Sequence, residues 1–201
     1  SEFDNEIRKD YNVVCGCDEA GRGPLAGDVF AAAVIFDKDT VIEGINDSKK
    51  LTAKKREELF DEIMEKAVDF SIQTATVEEI EDINILNAAM LAMKRAVEDM
   101  DTKPDVCLID GNKTPEGLEC PAIAVVKGDA KSQAVAAASI LAKVARDRYM
   151  EQMAEQYPEY RFEKHKGYGT KLHYQMIDQY GPCGIHRMSF LKKYYAKKNG
   201  H

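Results

Sequence analysis

Short apolar runs and amphipathic segments alternate along this 201-residue chain. Five runs rich in apolar and β-branched residues, each bounded by turn residues, predict strands at residues 13–17, 28–36, 70–76, 106–109 and 122–126. Apolar residues at helical spacing predict helices over residues 53–68, 85–100, 132–156 and 189–198. Thr52 is expected to cap the first helix, and Pro158 to stop the third.

The order of these elements, β-β-α-β-α-β-β-α, indicates an α/β fold class. The short connection between the first two strands predicts an antiparallel pair, whereas the later strands are separated by crossovers. We therefore expect a mixed five-stranded sheet flanked by helices. No repeat or linker divides the chain, so residues 161–201 are expected to pack on the domain that residues 1–160 form.

Charge is distributed unevenly along the chain, whose formal net charge is −7. Residues 161–201 carry nine Lys and Arg against two acidic residues, whereas residues 1–160 carry 19 basic and 33 acidic residues. All four histidines also lie in the basic segment. This asymmetry favours an anion-facing C-terminal region beside an acidic body, and a solvated charged tail is the alternative.

Several classes of protein are disfavoured by the composition. The longest apolar stretch, residues 125–145, is interrupted by charged residues, and the N-terminus has no apolar signal segment. The odd number of cysteines and the lack of a CxxC pair argue against a disulfide framework or a zinc site. Cys15 and Cys17 alternate in a predicted strand and should face the same side as small hydrophobic residues. These features predict a reduced, cytoplasmic protein with no membrane partner.

Carboxylates follow the apolar part of three predicted strands. Asp18-Glu19, Asp110 and Asp129 would meet if the carboxyl ends of these strands adjoin. Crowded carboxylates repel one another, and divalent cations relieve that repulsion. Oxygen ligands favour Mg²⁺ or Mn²⁺, and two such ions suit phosphodiester hydrolysis. Alternatively, each acid is an ordinary turn residue, and Asp129 a helix cap.

A set of motifs in sequence order closely resembles the ribonuclease HII family. The most specific is DEAGRGPLAG at residues 18–27. The others are NDSKKL at 46–51, DGN at 110–112, KGD at 127–129, SILAKVARD at 139–147, HKGYGT at 165–170, and a final segment that includes GP at 181–182, HR at 186–187 and SF at 189–190. The resemblance covers about residues 13–190.

The resemblance implies a ribonuclease H-like catalytic domain over residues 1–160 and a basic, helical substrate-binding region over residues 161–201. It implies an endonuclease that uses two divalent cations, Mg²⁺ or Mn²⁺, and leaves a 3′-hydroxyl and a 5′-phosphate. The implied substrates are RNA–DNA hybrids and duplex DNA that contains single ribonucleotides, cut on the 5′ side of the ribonucleotide. We expect a monomer.

The resemblance also implies roles for individual residues. The catalytic, metal-binding acids are Asp18, Glu19, Asp110 and Asp129. The segment that senses the 2′-hydroxyl at the RNA-to-DNA junction is Gly21, Arg22 and Gly23, and Tyr168 packs on the sugar after the scissile phosphate. The residues implied to contact backbone phosphates are Asn46, Ser48, Lys49 and Lys50.

One position departs from the family pattern. Asp28 stands where the family usually has proline, directly after Gly27. It adds a negative charge and removes a φ restraint, so it is either tolerated at the start of the strand or shifts metal affinity. His165, His173 and His186 are left without an assigned role, and structural or surface roles are expected.

Three other functions compete with this interpretation. Ribonuclease HIII attacks longer RNA stretches, but its motif has Lys in place of Arg22, and the 17 residues before Asp18 leave no room for its extra N-terminal domain. A junction resolvase-like nuclease would ignore the 2′-hydroxyl. A catalytically weak or inactive hybrid-binding module would be expected to have lost at least one of the four acids.

Overall fold

A central sheet of five strands organises the protein. The computed structural model describes residues 1–200 apart from the side chain of Ser48, so the phosphate contact expected of Ser48 lies outside the described part. The strands are β1 (Val14–Ala20), β2 (Val29–Ile35), β3 (Asp69–Ala75), β4 (Val106–Asp110) and β5 (Ala122–Val125). Each predicted strand is present, with bounds shifted by a few residues.

The sheet is mixed, as the order of elements predicts. Its strand order is β3-β2-β1-β4-β5. β1 pairs antiparallel with β2, which pairs antiparallel with β3. On the other side, β1 pairs parallel with β4, and β4 pairs parallel with β5. The carboxyl ends of β1, β4 and β5 therefore lie at one edge of the sheet.

Helices cover both faces of the sheet. They are α1 (Glu2–Ile7), α2 (Ala53–Lys66), α3 (Val77–Ile83), α4 (Ile85–Asp99), α5 (Gly128–Lys131), α6 (Gln133–Gln156), α7 (Phe162–His165), α8 (Lys171–Tyr180) and α9 (Met188–Gly200), with 3₁₀ turns at Ile45–Lys50 and Pro158–Tyr160. Thr52 caps α2, as predicted, and Ser132 caps α6. Within residues 1–200, none of the helices has the length and apolar character needed to cross a bilayer.

Five helices were not predicted from the sequence: α1, α3, α8 and the four-residue helices α5 and α7. α3 spans seven residues, and only Asn84, at a φ of 73°, separates it from α4. Because the two helices are almost contiguous, the apolar residues of α3 do not stand out in the sequence as a separate helix. α8 buries few side chains, among them His173 and Ile177. Tyr174 and Met176 are partly buried next to Ile177, so the sequence carried a helical signal here that the prediction did not use.

Two hydrophobic layers fix the helices on the sheet. On one face α4 packs against side chains of β1, β2 and β4, among them Cys15, Cys17 and Cys107, which confirms the shared side predicted for Cys15 and Cys17. On the other face α2 and α6 pack against β2. Many of the buried residues of α6 are alanines, which let this helix lie close to the strands.

α6 lies very close to the sheet over Gly16 of β1. A Cβ atom at Gly16 would lie 2.2 Å from the carbonyl carbon of Ala134 and 2.3 Å from the nitrogen of Val135, both in the first turn of α6. These neighbours are backbone atoms, so they cannot move aside without displacing the helix. Glycine at this position therefore sets the distance between β1 and α6.

We predict that Gly16→Ala lowers the free energy of unfolding by about 1–3 kcal/mol, because the added methyl group forces α6 away from β1. Urea denaturation of the purified protein measures this change. Gly23→Ala is the matched control, since its Cβ would meet Tyr168 Cε1 at an ordinary 3.8 Å. Equal stability losses in the two variants would contradict the prediction.

Candidate active site

The parallel pairing of β1 with β4 brings the predicted acids together. Cys17 pairs with Ile109, so the next residues along the two strands, Asp18 and Asp110, lie side by side. Asp129 lies in α5, just after β5, and its backbone N–H donates to Asp110 Oδ1 at 3.3 Å. The four acids therefore converge at one sheet edge, as the sequence predicted.

The acids lie in an environment that resists negative charge. Burial raises the pKa of Asp18 well above its ordinary value, and the negative charges of Glu19 and Asp110 raise it further. Burial also raises the pKa of Asp110, with a further contribution from the charge of Asp129. Without a cation, desolvation and mutual repulsion therefore destabilise the charged forms of these carboxylates in the folded chain.

The donor set fits divalent cations. Glu19 Oε2 is buried and has no hydrogen-bond partner among the described residues, which is costly for a carboxylate oxygen unless a cation binds it. The ligands offered are carboxylate oxygens, which suit hard ions such as Mg²⁺ or Mn²⁺. Asp18, Glu19, Asp110 and Asp129 are the residues that would hold them.

A cleft of about 480 Å³ opens beside the acids. The predicted site residues that line it are Glu19, Gly21, Arg22, Gly23, Lys49, Asp129 and Tyr168. An adjoining hollow is lined by Asn46, Lys49, Lys50, Lys127 and Asp129. Predicted phosphate contacts, the glycine turn and two of the acids therefore share one continuous surface.

Not every predicted contact residue has its polar atoms free. Asn46 Nδ2 donates to the carbonyl oxygens of Asp129 and Ser132, at 2.9 and 3.2 Å. The side chain of Asn46 therefore supports the segment that carries Asp129, and its contact with a phosphate stays a prediction. Arg22 is half exposed, and its Nη1 lies 3.5 Å from Glu19 Oε1.

Arg187, for which the sequence analysis predicted no role, supports the glycine turn from its buried side. Its buried guanidinium donates four hydrogen bonds of 2.7–3.1 Å, to the carbonyl oxygens of Gly21, Arg22, Pro24 and Gly27. Burial and the nearby charge of Arg146 lower the pKa of Arg187 to about 9, so the group is charged at neutral pH. One side chain thus fixes the path of the whole turn.

Arg146 of α6 binds the next part of the same segment. It donates to the carbonyl oxygens of Ala26 and Asp28, and to that of Lys166 in the loop before Tyr168. A Cβ at Gly21, whose φ is +95°, would lie 2.2 Å from Arg146 Nε. Glycine is therefore required there both for its backbone angle and for the space that the arginine fills.

Three buried histidines support the loop that carries Tyr168. The Cys183 N–H donates to His186 Nδ1, so His186 Nε2 carries its proton and donates to His173 Nε2 at 2.9 Å. His173 Nδ1 then donates to the Tyr168 carbonyl oxygen at 2.9 Å. His165 stacks on His173 with ring centroids 4.1 Å apart. The structural role expected of these histidines is confirmed.

These histidines are neutral in the folded protein. Burial lowers the pKa of His165 below its ordinary value and lowers that of His173 to about 4. Burial, together with His173 and His165, lowers the pKa of His186 to about 3. Each ring in the chain of hydrogen bonds has one donor and one acceptor, which only neutral imidazole provides.

Asp28 faces the start of α3. Its Oδ1 accepts a hydrogen bond from the Val77 N–H at 3.0 Å, and burial raises its pKa. An acidic group next to the first N–H of a helix is favourable, because the helix dipole is positive there. This contact accounts for an acid at the start of β2, the first of the two possibilities that the sequence left open.

Sequence reasoning missed several residues of this site. Arg146 and Arg187 lie within the recognised motifs, but arginines in a motif do not reveal which carbonyl groups they bind. Arg56, Ser139 and Lys143 also line the cleft. Their only signal was position within or near a motif, because the surface they form exists only after α2 and α6 pack together.

Comparison with known proteins gives a consistent family. The sequence model of the family described as Ribonuclease HII matches residues 15–193. Ribonuclease HII of Caldicellulosiruptor saccharolyticus is 55% identical over 189 residues, 94% of this chain and 92% of that protein. Ribonuclease HII of Idiomarina loihiensis is 58% identical over 178 residues, 89% of this chain and 95% of that protein.

Solved structures share the fold. The ribonuclease H2 from Pyrococcus horikoshii OT3 superposes with a TM-score of 0.76 at 30% identity, over 93% of this chain and all of that one. The RNase HII in a complex with PCNA from Archaeoglobus fulgidus gives 0.71 at 26% identity, over 88% and 94%. Bst-RNase HIII in complex with Mn²⁺ gives 0.69 at 16% identity, over 94% and 71%, a likeness of fold alone.

We predict that Arg187→Lys lowers the free energy of unfolding by about 2–4 kcal/mol, because an ammonium group cannot reach four carbonyl oxygens at once. Urea denaturation measures the loss. Arg161→Lys is the control, since Arg161 is about half exposed and pairs with Glu163. A loss no larger than that of the control would show that the turn does not depend on Arg187.

Proposed function

Since this chain belongs to the ribonuclease HII family, and so is an endonuclease that acts on RNA–DNA hybrids, we propose that it also cuts duplex DNA on the 5′ side of single embedded ribonucleotides. The observation that carries the proposal is the shared cleft, where the acids adjoin a glycine turn and an exposed tyrosine. A nuclease that does not recognise the 2′-hydroxyl would not need a glycine turn and a tyrosine next to its acids.

We propose that two divalent cations, Mg²⁺ or Mn²⁺, bind the four acids. When bound, such cations lower the pKa of the attacking water and stabilise the leaving oxygen. The residues that would hold them lie in defined elements: Asp18 and Glu19 in β1, Asp110 at the end of β4 and Asp129 in α5. In-line attack then leaves a 3′-hydroxyl and a 5′-phosphate.

The orientation of the glycine turn suggests which groups meet the 2′-hydroxyl. Arg187 binds the carbonyl oxygens of Gly21 and Arg22 on the buried side. In a trans peptide the N–H points opposite to the C=O, so the N–H groups of Arg22 and Gly23 point away from Arg187. We propose that these N–H groups donate to the 2′-hydroxyl, the group that distinguishes RNA from DNA.

Tyr168 borders this turn. The residue is 40% exposed, its Cε1 lies 3.8 Å from where a Cβ of Gly23 would stand, and Lys143 Nζ lies 5.9 Å from the centroid of its ring. A flat ring held beside the turn suits a sugar without a 2′-hydroxyl. We propose that Tyr168 packs on the deoxyribose after the scissile phosphate, so that the two elements together recognise an RNA-to-DNA junction.

The basic side chains around the cleft are proposed to bind backbone phosphates. Among them are Arg22, Lys49 and Lys50, and the structure adds Arg56 and Lys143. Asn46 and Ser48 are proposed to bind phosphates as well, on the resemblance of their motif alone. Phosphate contacts position a duplex without reading its bases, so we propose little sequence preference. The basic region 161–201 is proposed to extend this surface from the domain over residues 1–160.

The remaining parts of the proposal rest on the sequence. They are a monomeric state and a cytoplasmic location. Ribonuclease HIII-like specificity is disfavoured by Arg22, and an inactive hybrid-binding module by the four intact acids. Each of these alternatives has a distinct outcome in the cleavage assay described next.

We predict cleavage 5′ of the ribonucleotide in a labelled DNA duplex that contains a single ribonucleotide, with Mg²⁺ or Mn²⁺. An RNA–DNA hybrid and an all-DNA duplex are assayed in parallel. Cleavage of the long hybrid alone would indicate ribonuclease HIII-like specificity, and cleavage of the all-DNA duplex a resolvase-like nuclease. Binding without cleavage of any substrate would indicate the inactive module.

We predict that Asp110→Asn abolishes cleavage, with a fold unchanged by circular dichroism. Because one repelling charge is removed, the free energy of unfolding in EDTA at neutral pH should rise rather than fall. Asp101→Asn, the same change at an exposed acid outside the cleft, should leave both quantities unchanged. Full activity in Asp110→Asn would exclude Asp110 as a metal ligand.

We predict that affinity for the ribonucleotide-containing duplex falls steeply with salt, through release of counterions. Lys49→Ala should flatten the slope of log affinity against log salt by about 0.9, the value for one phosphate contact. Lys9→Ala, an exposed lysine paired with Glu6, is the control. An unchanged slope in Lys49→Ala would remove Lys49 from the phosphate contacts.

A further inference from the structure

Three cysteines from two neighbouring strands meet on the α4 face of the sheet. Cys15 of β1 pairs directly with Cys107 of β4, and Cys17 lies two residues further along β1 on the same side. The Sγ atoms of all three lie within 4.8 Å of one another, and those of Cys15 and Cys17 are 3.6 Å apart. All three thiols are free and buried.

A fourth cysteine joins this group from the segment before β5. Cys120 Sγ lies 3.4 Å from Cys107 Sγ, and Cys120 is only partly buried. It lines an open cleft of about 550 Å³ together with Glu98, Lys103 and Glu119. The cysteine cluster, which we define as Cys15, Cys17, Cys107 and Cys120, is therefore reachable from solvent through one member.

We propose that the cysteine cluster is a site for a thiophilic cation of the Zn²⁺ class, separate from the carboxylate site at the sheet edge. The spacing CxC in β1 with distant single cysteines does not match a zinc motif, which is why the sequence argued against such a site. In the fold, strand pairing brings together cysteines from three segments that are far apart in the sequence, so a cysteine site forms without a local motif.

The distances among the three buried sulfurs allow them to bind one metal ion together. Four sulfurs at about 2.3 Å from a zinc ion lie roughly 3.8 Å from each other. The Cys15–Cys17 and Cys107–Cys120 contacts, at 3.6 and 3.4 Å, are slightly shorter, and the three buried sulfurs lie within 4.8 Å of one another. Cys120 contacts only Cys107 within this cluster, so it has to move toward Cys15 and Cys17 to become the fourth ligand. Thiolate ligands select Zn²⁺ over Mg²⁺, so the two sites would not compete for one ion.

Cation binding would release the protons of the ligating thiols to solvent, with no change in oxidation state. Cys120 is the partly exposed member and contacts Cys107, so it offers the ion a first ligand from solvent. Since Cys17 immediately precedes Asp18 and Cys107 lies three residues before Asp110, a bound ion would tie together the two strands that carry catalytic acids.

Co²⁺ is the probe for this site, because tetrahedral thiolate coordination gives it intense visible bands and a sulfur-to-metal charge-transfer band. Carboxylate-bound Co²⁺ gives neither. The full chain is titrated anaerobically with excess Mg²⁺ to fill the carboxylate site. We expect both bands to saturate at one Co²⁺ per chain and Zn²⁺ to bleach them.

Cysteine variants assign the bands to the cluster. Cys107→Ala and Cys120→Ala should each weaken Co²⁺ binding by at least about 10- to 100-fold. Cys183→Ala is the matched control, since Cys183 packs in a different hydrophobic cluster, and it should leave the titration unchanged. Unchanged bands in both cluster variants, or no bands in the wild-type protein, would overturn the proposal.

A second measurement uses the wild-type protein, in case a variant fails to fold. The native protein is alkylated with and without Zn²⁺ in excess Mg²⁺, and each cysteine is quantified by mass spectrometry. We expect Zn²⁺ to slow alkylation of Cys120 by more than about tenfold and to leave Cys183 unaffected. Equal rates at Cys120 with and without Zn²⁺ would refute the site, whatever the nuclease activity.

Discussion

The contact of α6 with β1 over Gly16 is the constraint on which the site depends. The first turn of α6 lies so close to β1 that no side chain fits between them. This contact places Asp129, just before the helix, beside Asp110. Further along the same helix, Lys143 reaches the cleft and Arg146 reaches the glycine turn. One rigid helix thus sets the distances among the acids, the basic residues of the cleft and the glycine turn.

The acidic and the basic residues around the cleft lie in different environments. The acids are brought together by strand pairing, and burial and mutual repulsion raise the pKa values of Asp18 and Asp110. The arginines behind the turn bind carbonyl oxygens, with three hydrogen bonds from Arg146 and four from Arg187. The acids therefore favour cation binding, while the arginines keep the neighbouring backbone rigid.

The C-terminal region is an integral part of the cleft. Arg187 contributes the support of the glycine turn, and the hydrogen bonds from His186 through His173 fix the backbone of Tyr168. Ala26 also forms an isolated bridge with His186. The basic character of residues 161–201 indicated an anion-facing surface, but Arg187 and three of the histidines in this region are buried supports. Their hydrogen bonds hold the backbone around the cleft in place, in addition to any effect on its electrostatic potential.

The sequence by itself determined the five strands, the antiparallel pair, four of the helices and the four acids, since apolar periodicity and strand-end chemistry are local properties. The motifs identified the family for the same reason. Only the tertiary structure decided that Arg187 binds the turn at Gly21, that the histidines support Tyr168, and that Cys15, Cys17, Cys107 and Cys120 meet. These are contacts between distant segments, and their distances depend on how strands pair and how closely helices pack, which no local pattern encodes.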